Sequence, residues 1–88
     1  MVELSDVDQH GLRLALANAQ KSYDEGGVPI GAVLQVKSAE ATAVLGQGHN
    51  QRVQRQSAIL HAEIAAFENA GRLSAKVYSQ STMVSGEF

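Results

Sequence analysis

The sequence predicts an α/β domain with the element order α-β-β-α-β. Three observations carry that reading: two stretches with apolar residues at helical spacing, two short apolar runs between them, the first rich in β-branched residues, and a glycine placed where each helix would stop.

Ser5 to Glu25 reads as the first helix. Ser5 followed three residues later by Asp8 is a variant of the capping box, and Leu12, Ala15, Leu16, Ala19 and Tyr23 then recur at helical spacing. Gly26-Gly27 ends it, because glycine takes the left-handed C-cap conformation at little cost, and Pro29 bars continuation. Val28 to Val36 and Ala43 to Gly48 are apolar runs separated by the polar Lys37-Ser38-Ala39-Glu40, which predicts an antiparallel hairpin. Both runs carry few charges, so each strand is expected to lie under a helix on at least one face. Gly31, Gly46 and Gly48 point to close backbone approach or a bulge. Asn50 to Gln56 is polar and reads as an exposed loop, with Arg52 and Arg55 on its solvated face. Ser57 to Ala70 reads as the second helix, with Ile59, Leu60, Ile64, Ala65 and Phe67 as its apolar set and Gly71 as its stop. Val77-Tyr78 and Thr82-Met83-Val84 predict a third strand.

Composition narrows the function. Eighty-eight residues, 44% of them apolar, suit one small domain. A chain of that size buries only roughly 60 to 65% of its unfolded surface, so its stability is expected to be marginal. The formal net charge is -2 and the seven Lys and Arg are scattered, which gives no basic stripe for a phosphate backbone; no nucleic-acid polymer is expected as a partner. No run approaches the ~20 apolar residues of a membrane span, and Met-Val-Glu-Leu-Ser-Asp lacks a basic-then-apolar signal pattern. The expectation is a cytoplasmic protein, with the nucleus as a second location and no membrane partner. The absence of cysteine excludes a disulfide framework and every thiolate metal site within these residues.

His61-Ala62-Glu63 is the triplet with chemical potential. Two residues apart at the first turn of a helix, an imidazole and a carboxylate can lean into one pocket. The helix N-terminus adds unpaired N–H groups and a positive dipole end that favour a hydroxide or a developing oxyanion. A neutral imidazole ligand beside a proton-moving carboxylate is the pairing that hydrolytic zinc chemistry uses. Taken alone, the triplet is also what an ordinary helix start looks like, since Glu is favoured there by the dipole.

The surrounding blocks add context: Glu-Gly-Gly-Val-Pro-Ile-Gly-Ala-Val-Leu from Glu25, Leu-Gly-Gln-Gly-His-Asn from Leu45, Ser-Ala-Ile-Leu-His-Ala-Glu-Ile from Ser57, then Glu-Asn-Ala-Gly-Arg-Leu and Lys-Val-Tyr. In order and over about two thirds of the chain, these resemble the fungal-type cytosine deaminases of the cytidine-deaminase-like superfamily. The resemblance implies an α/β/α sandwich, here incomplete, and zinc-dependent hydrolytic deamination of cytosine to uracil in pyrimidine salvage. It implies His61 as the zinc ligand and Glu63 as the proton shuttle. By the same resemblance, Asn50 reads the hydrogen-bonding edge of the base, the Ala62 amide contacts the base carbonyl, and Ile30 lines the apolar face of the base pocket. His49 is expected to be a hydrogen-bonded structural histidine and His10 a helix-surface residue.

The family pattern continues into a Pro-Cys-x-x-Cys that completes the zinc site, whereas this sequence reads Ser85-Gly86-Glu87-Phe88. The expectation is a partial deaminase domain over residues 1–84 with an off-pattern tail at 85–88, truncated before the cysteine motif and inactive alone, since one imidazole does not hold zinc against water. Adenosine or guanine remains an alternative substrate within the superfamily, because His-Ala-Glu occurs there as well. A different class of reading is a non-catalytic interaction module that forms a homodimer or pairs with a full-length relative.

Overall fold

A computed structural model describes residues 6–37 and 42–87. The element order is α1 (Asp6–Asp24), β1 (Ile30–Lys37), β2 (Thr42–His49), α2 (Ala62–Ala70), α3 (Ala75–Ser79) and β3 (Ser81–Glu87). The three strands form one sheet in the order β2-β1-β3, and β1 runs antiparallel to both neighbours. The expected α/β class and hairpin are present, with α3 inserted before the last strand. Ser5, the expected cap of α1, lies outside the described residues.

Alternation along β1 distributes the helices to opposite faces. A methyl added at Gly31 would fall 1.9 Å from the Ala15 carbonyl oxygen, so α1 lies directly on that face. Methyls at Gly46 and Gly48 would fall 2.4 Å from the Ala66 carbonyl oxygen and 2.6 Å from the Ala65 Cβ, so α2 lies on the other. Glycine on the sheet and alanine on the helix thus bring backbones together on both sides. The sequence left open whether these glycines mark close approach or a bulge, and both occur: Leu34 pairs with Gly46 but Gln35 with Val44, so Leu45 is the extra residue of a bulge on β2.

Alanine dominates the buried apolar set: Ala15 and Ala19 from α1, Ala32 from β1, and Ala62, Ala65 and Ala66 from α2, joined by Val33 and Leu34. Each methyl removed from water contributes only about 0.8 kcal/mol, so a core of this composition supports modest stability. Several of the larger apolar residues stand outside it. Tyr23, read as part of the apolar stripe of α1, is exposed, and Ser22 takes the buried position instead. Ile59, Ile64 and Phe67, read as the core set of the second helix, are exposed as well.

Two local expectations are corrected. The segment 57–60 is not helical: the Ser57 hydroxyl accepts from the N–H groups of Ile59 (3.2 Å) and Leu60 (3.1 Å), and the His61 N–H turns back to the Ile59 carbonyl (2.7 Å). A serine turn competes with helix there, and α2 starts at Ala62. Val77 and Tyr78 are helical, because the Ser74 side chain caps α3 by accepting from the Val77 N–H at 3.2 Å. Tyr78 also packs on Phe67 with ring centroids 6.0 Å apart, and strand begins only at Ser81. No helix among the described residues is long and apolar enough to cross a membrane.

Candidate functional site

Ile30 opens β1, and its carbonyl accepts from the Asn50 N–H at 2.9 Å, which joins the start of β1 to the end of β2. Ala62, the first residue of α2, is fully buried against Ala32 and Ala66, and Ile30 and Met83 pack on that cluster. Glu63 follows in the first turn, where the dipole of the helix favours a carboxylate. Glu63 and Ile30 line a cavity of about 380 Å³ together with Ser85, Gly86 and Glu87 of β3. The α2 start and the β1 start are therefore the two walls, and β3 is the third.

His61 occupies the N-cap position of α2, with extended backbone (φ -66°, ψ 162°) and no side-chain capping bond. Its carbonyl accepts from the Ala65 N–H at 3.0 Å, the first turn of the helix, while its imidazole is exposed. The cavity lining contains Glu63 and Ile30 but neither His61 nor Asn50. Of the five residues singled out from sequence, the fold thus brings Ile30, Ala62 and Glu63 together, ties Asn50 to them through backbone, and leaves the imidazole outside.

Asn50 is almost completely buried. Its carbonyl accepts from the Ser22 hydroxyl (2.7 Å), and its side-chain Oδ1 accepts from the Arg52 N–H (3.1 Å), an Asx turn that starts the loop 51–57. Around it runs a polar network that sequence reasoning did not assemble. Gln54 Nε2 donates to Ser22 Oγ (3.1 Å) and to Glu25 Oε1 (3.2 Å), and His49 lies 2.8 Å from the same carboxylate oxygen. The hydrogen bond from His49, then that from Gln54, holds the Glu25 carboxyl below its ordinary range against an opposing effect of desolvation, with weaker charge attraction from His49 and Lys21. An ionised carboxylate only accepts, so His49 Nε2 carries the proton of that bond. His49 is the structural histidine its position suggested, and His10 is exposed. The signal available in sequence was Ser22, a polar residue at i+3 from Ala19 on the buried stripe of α1, where a hydroxyl requires a partner.

Among the described residues, no three His, Cys, Asp or Glu side chains converge as a metal site requires. His61 offers one imidazole and the sequence no thiolate, so these residues do not by themselves fit a zinc ion, which takes at least three protein ligands.

Comparison with known proteins places this geometry in a family. The model of the cytidine and deoxycytidylate deaminase zinc-binding region matches residues 5–86. The chain belongs to this deaminase family. Cytosine deaminase of Candida albicans is 55% identical over 76 residues, which are 86% of this chain and 49% of that protein. A tRNA-specific adenosine deaminase of Streptococcus pyogenes is 43% identical over 56 residues, 64% of this chain and 33% of that protein. Among solved structures, a tRNA:A34 deaminase aligns with TM-score 0.69 at 26% identity over 88% of this chain and 57% of its own. A guanine deaminase from Bacillus subtilis aligns with TM-score 0.65 at 24% identity over 93% of this chain and 50% of its own, a likeness of fold. The chain thus spans about half the length of the Candida albicans and Bacillus subtilis deaminases. Within the deaminase fold, the described residues supply a three-stranded sheet with α1 on one face and α2 on the other.

Proposed function

We propose that these residues are the part of a cytosine-deaminase-like domain that holds the base, and that the 88-residue chain does not deaminate cytosine by itself. The family reaction is cytosine plus water giving uracil plus ammonia, and zinc supplies the activated water when it is bound. In this reading Ile30 and the Ala62 backbone line the base pocket, Asn50 reads the hydrogen-bonding edge of the base, and the Glu63 carboxylate holds and moves a proton. His61 is the one zinc ligand these residues contribute. The observation that carries the reading is the cavity shared by Glu63 and Ile30 at the start of α2. The 55% identity to the Candida albicans protein favours cytosine over adenosine or guanine.

Two measurements test it. Metal content and uracil release from the 88-residue chain are expected to be well below one zinc per chain and nil; stoichiometric zinc with uracil release would refute the inactivity. Fusing residues 1–84 to the Pro-Cys-x-x-Cys half of an active relative is expected to yield a cytosine deaminase, in which Glu63→Gln lowers kcat at least about 10²-fold. A chimera that folds, binds zinc and ignores cytosine would refute the base-holding role.

A second reading, pairing with a full-length deaminase, draws on Ile64 and Phe67, two large apolar side chains exposed on α2. Co-purification with such a protein supports it, and a monodisperse monomer in its presence counts against it.

A further inference from the structure

We infer that Ser22, Glu25, His49 and Gln54 form a positioning clamp for Asn50, which holds the carboxamide in the orientation that base reading requires; the inference rests on the reading of Asn50 proposed above. Asn50 sits where β2 passes into the loop 51–57, and nothing regular continues beyond it. Its position is instead fixed at three atoms: the N–H donates to Ile30 O (2.9 Å), the carbonyl accepts from Ser22 Oγ (2.7 Å), and Oδ1 accepts from the Arg52 N–H (3.1 Å). The last of these depends on where the loop lies. Gln54 ties the loop to α1, because its Nε2 reaches both Ser22 Oγ at 3.1 Å and Glu25 Oε1 at 3.2 Å, while backbone bonds such as Ser57 N–H to Arg52 O (3.0 Å) hold the loop's own shape. Gln54, Ser22 and Asn50 therefore form a relay in which the serine hydroxyl accepts from the amide and donates to the backbone, an arrangement in which each bond polarises the next.

Glu25 is the fixed point of the relay. It follows the last turn of α1, and His49 at the end of β2 anchors its carboxylate at 2.8 Å. Both elements that enclose Asn50 thus meet at one oxygen atom. Gly27 completes the fit: a methyl there would fall 2.3 Å from the Gln54 amide, so glycine leaves the loop side chain its space. None of these hydrogen bonds reaches Glu63, and none of the four residues lines the cavity beside it, so they bear on the site through Asn50 and its backbone bond to Ile30.

The test follows the side-chain amide resonances of Asn50 in the 88-residue chain and in its Glu25→Ala, Glu25→Gln and Gln54→Ala variants. Glu25→Ala is expected to shift the Asn50 amide pair more than any side-chain amide outside the loop, and Glu25→Gln, which keeps an acceptor at the same place, to restore most of the shift. Should Glu25→Ala fail to fold, Gln54→Ala gives the same reading from the loop side. A lower melting temperature with unmoved Asn50 signals would overturn the clamp, because it would reduce the network to a stabilising contact. Spectra with added cytosine separate the two claims: Asn50 signals that respond to Glu25→Ala but never to cytosine support the clamp and remove the base-reading role.

Discussion

His49 donates through Nε2 to Glu25 Oε1 over 2.8 Å, so the last residue of β2 is bonded to the residue that follows α1. That contact closes the end of the sheet where Asn50 and Ile30 also meet, and makes one carboxylate responsible for the order of two element ends.

Acid should therefore loosen this end. The folded-state pKa of Glu25 lies below its ordinary value of 4.5, so its contribution to stability is present above about pH 4.5 and is lost as pH falls through the lowered value. Thermal melts from pH 7 down to 3 are expected to fall less steeply for Glu25→Gln than for the unaltered chain. Parallel curves would show that the carboxylate contributes nothing on folding.

Gly31→Ala is expected to abolish cooperative folding or to destabilise by about 3 kcal/mol or more, since the new methyl meets the Ala15 carbonyl oxygen at 1.9 Å and helix backbone has no rotamer to yield. Urea denaturation measures it. Gly26→Ala strains the backbone by its φ of 82° alone, with nothing within 4 Å of the added methyl, and should cost only about 1 kcal/mol.

Neighbouring positions at the start of α2 are expected to answer oppositely. His61→Ala, at an exposed N-cap side chain without a capping bond, should change stability by less than about 0.5 kcal/mol. Ala62→Leu, in the fully buried cluster with Ala32 and Ala66, should cost about 1 to 3 kcal/mol. Equal effects in denaturation would contradict the packing described for this turn.

Gln56 has a φ of 51°, the one left-handed non-glycine residue among those described. Gln56→Gly relieves that strain, worth about 1 kcal/mol, and is expected to raise the melting temperature slightly despite the added freedom of the unfolded chain. A fall would indicate that the Gln56 side chain makes a contact of greater weight.

Elements whose signal is local were legible in the sequence. Gly26-Gly27 with Pro29 ended α1 correctly, and the two apolar runs marked the hairpin. Legibility failed where one side chain outweighs a pattern. Ile59 and Leu60 have helical spacing, but the Ser57 hydroxyl captures the amides that a helix would need. Val77 and Tyr78 have strand propensity, but Ser74 caps a helix over them. The core was misread for a related reason: ranking by hydrophobicity favours Tyr23, Ile64 and Phe67, whereas Gly31, Gly46 and Gly48 bring the helix backbone onto the sheet, where Ala15, Ala19, Ala65 and Ala66 fit. At the candidate site, residue identity was informative and geometry was not. Nothing in the spacing of His61 and Glu63 reveals that one faces solvent and the other a cavity, because that depends on where the helix begins.

The glycine and alanine contacts on both faces of the sheet act as a gauge. Where backbone rests on backbone, the separation of two layers is set by peptide dimensions and not by the rotamers of intervening side chains. The α2 that carries Glu63 rests on the sheet through such contacts at Gly46 and Gly48, and Ile30 of the same sheet lines the cavity with Glu63. Sequence drift on the exposed faces of the helices can therefore proceed without resizing that cavity.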